Sequence, residues 1–134
     1  MKKETILCVD DEKIILNSLK SQLRRNFGDR FSYEFAMSAN EALELIEELD
    51  AEEIRIIIIL SDWLMPGIKG DEFLIKVNNK FPKIVKIMIT GQANEESVEN
   101  AYKNANLFRC FAKPWKEEDL IETIIEALEV LKNE

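Results

Sequence analysis

Residues 55–71 read RIIIILSDWLMPGIKGD, and the fold follows from this stretch. Ile56 to Leu60 is an unbroken apolar run of four isoleucines and a leucine. Such a run is expected to form a strand covered on both faces, as in the middle of a parallel sheet. It stops abruptly at Ser61-Asp62. Met65-Pro66-Gly67 then turns the chain, and Gly70-Asp71 opens a helix. Asp62 therefore stands where a buried strand meets a loop. In open α/β sheets ligands bind at this rim, outside the carboxyl ends of the strands.

On the amino-terminal side, Thr5 to Val9 (TILCV) is a short apolar strand ending in Asp10-Asp11. A helix is expected over 11–27, with Ile15, Leu19, Leu23 and Phe27 on one face, stopped by Gly28-Asp29. Phe31 to Met37 alternates as a second strand. Ser38 or Asn40 caps a second helix that buries Ala42, Leu45, Ile46 and Leu49. On the carboxyl side, a third helix over about 70–80 buries Phe73, Leu74 and Val77 and is broken by Phe81-Pro82. Ile84 to Ile89 is a fourth strand, followed by Thr90-Gly91. Residues 94–104 form a weak, polar helix with only Val98, Ala101 and Tyr102 apolar. Leu107 to Ala112 is a fifth strand ending in Lys113-Pro114. Residues 116–132 form a strongly amphipathic last helix through Leu120, Ile121, Ile124, Ile125, Leu128 and Leu131.

The order is βα five times, which implies right-handed crossovers and a parallel sheet with helices on both faces. The expected fold is a flavodoxin-like, doubly wound five-stranded sheet in the order 2-1-3-4-5. The 134 residues suit one domain, with no repeat, low-complexity tract or linker. No apolar run approaches the ~20 residues of a membrane span, and Met1-Lys2-Lys3-Glu4 leaves no room for a signal peptide. These features lead to the expectation of a cytoplasmic protein without membrane contact. The net charge of −8 disfavours direct nucleic-acid binding, which needs a basic footprint. The chain has no histidine, so histidine general bases, zinc–histidine sites and phosphohistidine within the chain are excluded. Cys8 and Cys110 lack CxxC spacing and are expected as buried, reduced thiols.

The strand ends carry the chemistry. Strand one offers Asp10 and Asp11, strand three Asp62, strand four Thr90 and strand five Lys113, all on one rim. Carboxylates crowded to ~4 Å repel by roughly 4 kcal/mol per pair at an effective dielectric of about 20. Either one is protonated or a cation lies among them. Oxygen ligands alone favour a hard ion, and Mg²⁺ suits one or two carboxylates with waters and a phosphate oxygen. A metal, an ammonium and a hydroxyl together cradle a phosphoryl group. Asp62 is the natural nucleophile, because a carboxylate can form an acyl phosphate. Each residue also has a plainer role. Asp10-Asp11 can cap the first helix, Asp62 and Thr90 can be turn residues, and Lys113 can be a solvated charge. It is the conjunction at four strand ends that points to a site.

Four segments carry a resemblance: ILCVDDE (6–12), SDWLMPGIKGDEFL (61–74), IMITGQA (87–93) and FAKPW (111–115). Over essentially all of residues 1–134 the sequence resembles a single receiver domain of bacterial two-component response regulators, of the chemotaxis-regulator type. The resemblance implies phosphorylation of Asp62 by a partner histidine kinase. Asp11 would bind Mg²⁺ directly, Asp10 mainly through water, and the Leu64 carbonyl would complete the metal site. Thr90 would hold a phosphoryl oxygen and shift on activation. Lys113 would pair with the phosphoryl group, and Lys113-Pro114 would be cis. The implied output is the face of helix four, strand five and helix five, read by a downstream protein or a fused output domain, with scope for a phosphorylation-linked homodimer. The domain would catalyse only its own phosphotransfer and dephosphorylation and would not be an enzyme in the wider sense.

The sequence departs from the family at Cys110, three residues before the lysine, where a tyrosine or phenylalanine usually stands. A thiol cannot make the inward swing of a ring, and packing or a redox-sensitive gate are the roles open to it. A Cys8–Cys110 disulfide is out of reach in this topology. Asn106-Leu107 replaces a usual Gly-Ala, and Asn tolerates the left-handed turn required there. Leu64 and Gln92 flank the phosphoryl position and are expected to tune its lifetime. Two other functions fit parts of the pattern. One is a degenerate receiver that binds partners without phosphorylation. The other is a phosphatase using Asp62, which lacks a general acid because Leu64 stands two residues beyond it. No DNA-binding element is present, so the domain acts through contacts or belongs to a longer chain. Ser-Asp-Trp and Lys-Pro-Trp look more like receivers fused to kinase or enzymatic modules.

Overall fold

A computed structural model describes residues 3–92 and 94–133. Met1, Lys2 and Ala93, which belong to segments discussed above, lie outside the described residues. Five strands alternate with five α-helices: β1 (Thr5–Val9), α1 (Lys13–Phe27), β2 (Ser32–Ala36), α2 (Ala39–Ala51), β3 (Ile56–Ser61), α3 (Gly70–Lys80), β4 (Val85–Thr90), α4 (Glu95–Asn104), β5 (Arg109–Ala112) and α5 (Glu117–Lys132). The strands are all parallel, in the order β2-β1-β3-β4-β5. This is the flavodoxin-like arrangement expected from the sequence.

β1, β3 and β4 are buried along their whole length, as their apolar runs require. Alternate side chains feed two cores. Leu7 and Val9 meet α2, α3 and α4 through Ala42, Ile46, Phe73, Leu74, Val77 and Ala101. Ile6 and Cys8 meet α1 and α5 through Leu16, Leu19, Leu23, Leu120 and Ile124. Each large aliphatic side chain fully removed from water contributes about 1.5–3 kcal/mol, so β3 anchors both layers. The β1–β3 register shifts between Thr5 and Ile6, pairing Thr5 with Ile56 and Ile6 with Ile58. The extra residue is a β-bulge, and it puts Ile57 and Ile58 into the same core.

Several boundaries and faces differ from expectation. α1 begins at Lys13 rather than at residue 11, because Asp10 accepts the Glu12 N–H (2.9 Å) and holds 10–12 outside the helix. Leu16, not Ile15, joins Leu19 and Leu23 in the core. β2 and β5 are shorter than predicted, and β5 is a partly exposed edge strand. Ile125 (49% exposed) and Tyr102 (44%) lie at the surface rather than in the core. Ser38 is the cap of α2, its hydroxyl accepting the Glu41 N–H at 3.1 Å. Asn106 adopts φ +54°, the left-handed turn expected of it. Cys8 is buried, whereas Cys110 is only partly so, and both are free thiols.

Candidate functional site

The register of the central strands assembles the site. β1 and β3 run side by side with Val9 opposite Ser61, so Asp10 and Asp62 leave the sheet as neighbours. The Asp62 N–H donates to the Val9 carbonyl (2.9 Å), extending the ladder to the carboxylate itself. Asp10 is 2% exposed and Asp62 5%. Asp11 and Glu12 face solvent. One carboxylate oxygen from each of Asp10, Asp11, Glu12 and Asp62 lies within 4.8 Å of the others. Glu12 escaped the sequence reading, which stopped at the Asp pair, although it is the next residue in the same segment.

Lys113 enters from the end of β5. Its Nζ lies 2.8 Å from Asp10 Oδ2, 3.2 Å from Asp62 Oδ2 and 3.3 Å from Glu12 Oε1. The Lys113 N–H donates to the Thr90 carbonyl (3.2 Å), which ties the ends of β4 and β5 together. The Lys113-Pro114 bond is cis. Burial alone would lower the Lys113 pKa. The hydrogen bond to Asp10 and the charges of Asp62 and Asp10 outweigh burial and hold it above its ordinary value. Asp10 is raised above the usual carboxylate range, chiefly by burial, against the Lys113 ammonium and the Glu12 N–H, with the Asp62 charge adding to the rise.

Thr90 is buried at the end of β4. Its hydroxyl accepts the Gln92 N–H (3.2 Å), so the hydroxyl proton remains available to donate. Leu64, two residues past Asp62, has an exposed side chain. The structure thus gathers Asp10, Asp11, Asp62 and Lys113 into one cluster, with Thr90 at the end of β4 and Leu64 on the loop after β3.

The loop after Asp62 is held tightly. Asp62 Oδ1 accepts the N–H of Trp63 (2.8 Å), and the Gly70 N–H donates to the Trp63 carbonyl (2.8 Å). A Cβ on Gly70 would lie 2.2 Å from the Asp62 carbonyl oxygen and 2.6 Å from Trp63 Cα. Only glycine lets α3 begin this close to the loop that follows Asp62.

One ammonium among four carboxylates leaves a surplus of negative charge. The donor set is all oxygen, two of the acids face solvent, and the geometry suits a hard divalent cation such as Mg²⁺. Such a cation, the Lys113 ammonium and the Thr90 hydroxyl would all stabilise charge on an oxyanion beside Asp62.

Comparison with known proteins agrees with this architecture. Residues 6–125 match the family model described as the response regulator receiver domain. The chain is 34% identical over 128 residues to the hydrogenase transcriptional regulatory protein HoxA of Cupriavidus necator, covering 96% of this chain and 25% of that protein. It is 30% identical over 126 residues to the sensor kinase CckA of Brucella abortus, covering 93% of this chain and 12% of that protein. The chain therefore spans a quarter or less of these curated relatives. Among solved structures, a response regulator receiver domain protein (CheY-like) from Methanospirillum hungatei superposes with a TM-score of 0.84 at 32% identity, covering 98% of both chains. With this fold, this cluster and a family match over most of its length, the chain belongs to the receiver domain family of two-component response regulators.

Proposed function

We propose that the chain is a phosphoacceptor switch. Asp62 takes a phosphoryl group from the phosphohistidine of a partner kinase and later loses it to water. The observation that carries this is the Asp62 carboxylate, 5% exposed at the end of a buried strand and 3.2 Å from the Lys113 ammonium.

In the forward step an Asp62 carboxylate oxygen forms a bond to phosphorus as the donor's P–N bond breaks, and the imidazole leaves with the electron pair. In the reverse phase a water oxygen attacks phosphorus, the acyl O–P bond breaks, and carboxylate and inorganic phosphate are released. Lys113 neutralises phosphoryl charge, and the Thr90 hydroxyl donates to a phosphoryl oxygen. Asp10, Asp11, Asp62 and the Leu64 carbonyl would hold Mg²⁺, and the Glu12 carboxylate adds a further acid to the same cluster. Bound there, the cation would screen the approach of an anionic donor to an acidic site. The chemistry is confined to the domain's own phosphorylation and dephosphorylation, without turnover of an outside substrate. The output is the α4–β5–α5 face, read by a downstream protein, a fused domain or a second copy, and the setting is the cytoplasm.

Incubation with Mg²⁺ and acetyl phosphate, beside Asp62→Asn, tests the proposal by intact mass. One phosphoryl adduct on the wild type alone is expected. Equal modification of both proteins overturns the assignment of Asp62, and no modification of either favours a receiver that works without phosphorylation.

A further inference from the structure

A buried carboxylate beside the site is unused by the chemistry above. Asp71, in the first turn of α3, is 8% exposed. Its Oδ1 accepts the indole N–H of Trp63 (2.9 Å), and its Oδ2 accepts from the Asn100 side-chain amide of α4 (2.9 Å). Asn104 donates in turn to Asn100 Oδ1 (2.7 Å). Both carboxylate oxygens of Asp71 are thus taken up by N–H donors, from an indole on one side and a side-chain amide on the other.

The run is continuous with the acceptor, because the backbone N–H of Trp63 donates to Asp62 Oδ1 (2.8 Å). Trp63 is placed from both sides, with its indole N–H on Asp71 and the Lys69 Nζ 5.8 Å above its ring. α4 has a single fully buried side chain, Ala101. The polar tie from Asn100 to Asp71 is therefore a large part of what fixes this helix on α3. Weakly packed elements are the ones that a modest local change can move.

We propose that Asp71 is a positioning residue that transmits the phosphorylation state of Asp62 to α4, through Trp63 on one side and Asn100 on the other. This rests on the phosphoacceptor reading. Formation of the acyl phosphate turns the Asp62 carboxylate into a neutral acyl group and places a dianionic phosphoryl beside it. Whichever oxygen is phosphorylated, the group becomes a weaker acceptor for the Trp63 N–H. Trp63 then shifts, and its indole carries the shift to Asp71 and Asn100. The route runs through α3 and does not use β5, where Cys110 stands.

The test compares wild type, Asp71→Leu, Asp71→Asn and Asn100→Ala, each with Mg²⁺ and acetyl phosphate. Intact mass gives phosphoryl occupancy, and hydrogen exchange is followed in α4 and, as a control, in β1. In the wild type, phosphorylation changes α4 exchange about tenfold, within the usual span of coupling between sites. Asp71→Leu and Asn100→Ala form the adduct to the same occupancy, but their α4 response falls below about twofold. Asp71→Asn keeps an acceptor oxygen for the indole, and reorientation of the Asn100 amide restores the second bond, so this variant recovers the response. If Asp71→Leu fails to fold, Asn100→Ala decides, since it leaves Ala101 in place. A wild-type α4 response in Asn100→Ala at equal occupancy overturns the relay while leaving phosphorylation intact. Absence of an adduct on the wild type, read separately in the mass, overturns the phosphoacceptor reading and the relay together.

Discussion

Lys113 makes its shortest ion pair with Asp10, at 2.8 Å, and stands farther from Asp62, at 3.2 Å. The ammonium thus neutralises the buried member of the acid pair while remaining in reach of Asp62. In Lys113→Met, phosphorylation by acetyl phosphate is expected to slow roughly a hundredfold, the effect of losing one preorganised charge donor. The uncompensated carboxylates then attract a divalent ion more strongly, and Mg²⁺ affinity rises about tenfold or more. A fluorescence titration of Trp63 reads the second effect, and an unchanged affinity would count against the electrostatic account.

Gly70→Ala forces a methyl group to 2.2 Å from the Asp62 carbonyl oxygen, a backbone atom that cannot turn aside. The loop or α3 must move. A loss of at least about 2 kcal/mol in unfolding free energy is expected, in the range of overpacked sites. Urea denaturation measures it. Because the displaced atoms belong to Asp62 and Trp63, the surviving folded protein should also phosphorylate more slowly.

Lys86 lies in β4 with its side chain 1% exposed, its Nζ 2.7 Å from Asn78 Oδ1 and 3.4 Å from the Pro82 carbonyl. Burial lowers its pKa from the ordinary 10.5 to about 8. Between these two values the unfolded chain holds the proton and the folded protein does not, so stability rises with pH across that window. The rise attributable to Lys86 is roughly 3 kcal/mol at most. Below pH 8 both states are protonated and the contribution is flat. Lys86→Met should abolish the rise and be the more stable protein at pH 7, as parallel denaturation curves across this range will test.

The two thiols should differ in reactivity. Burial raises both, with Cys8 fully enclosed and Cys110 half-buried at the sheet edge. Cys110 is expected to react with a disulfide reagent more slowly than a free thiol. Cys8 should react only on unfolding. A fast-reacting Cys110 at neutral pH would restore the case for a redox-sensitive gate.

Sheet order and the position of Asp62 at the rim of the sheet were legible in the sequence because the signals are long or repeated. The short β-branched run before Asp62 favours a buried strand, and four of the five strand ends present a group of useful chemistry. Finer features were hidden for identifiable reasons. Ile15, Leu19, Leu23 and Phe27 recur every four residues, and each step overshoots a helical turn by about 40°. The outer members, Ile15 and Phe27, therefore rotate to the margin of the core, where they are only partly buried, and Leu16 takes the place of Ile15 in it. The bulge at Ile57 leaves no mark in a run of identical residues. Lys86 looks like a surface residue of its strand, because its partner Asn78 lies on another element. Asp71 looks like an ordinary first-turn acid, and neither Trp63 nor Asn100 identifies itself as its partner without the third dimension. Glu12 follows two aspartates and was hidden by them.

Glu12 and Lys113 are separated by 101 positions along the chain, and Asp62 and Lys113 by 51. On the ribosome, the acids of the first strand emerge long before the ammonium that balances them. β5 is an edge strand and follows the other four in chain order, so the charge that balances the acids of β1 and β3 reaches them only when β5 pairs with β4. Shortening the chain before Lys113 would leave the buried Asp10 and Asp62 without the ammonium that faces both.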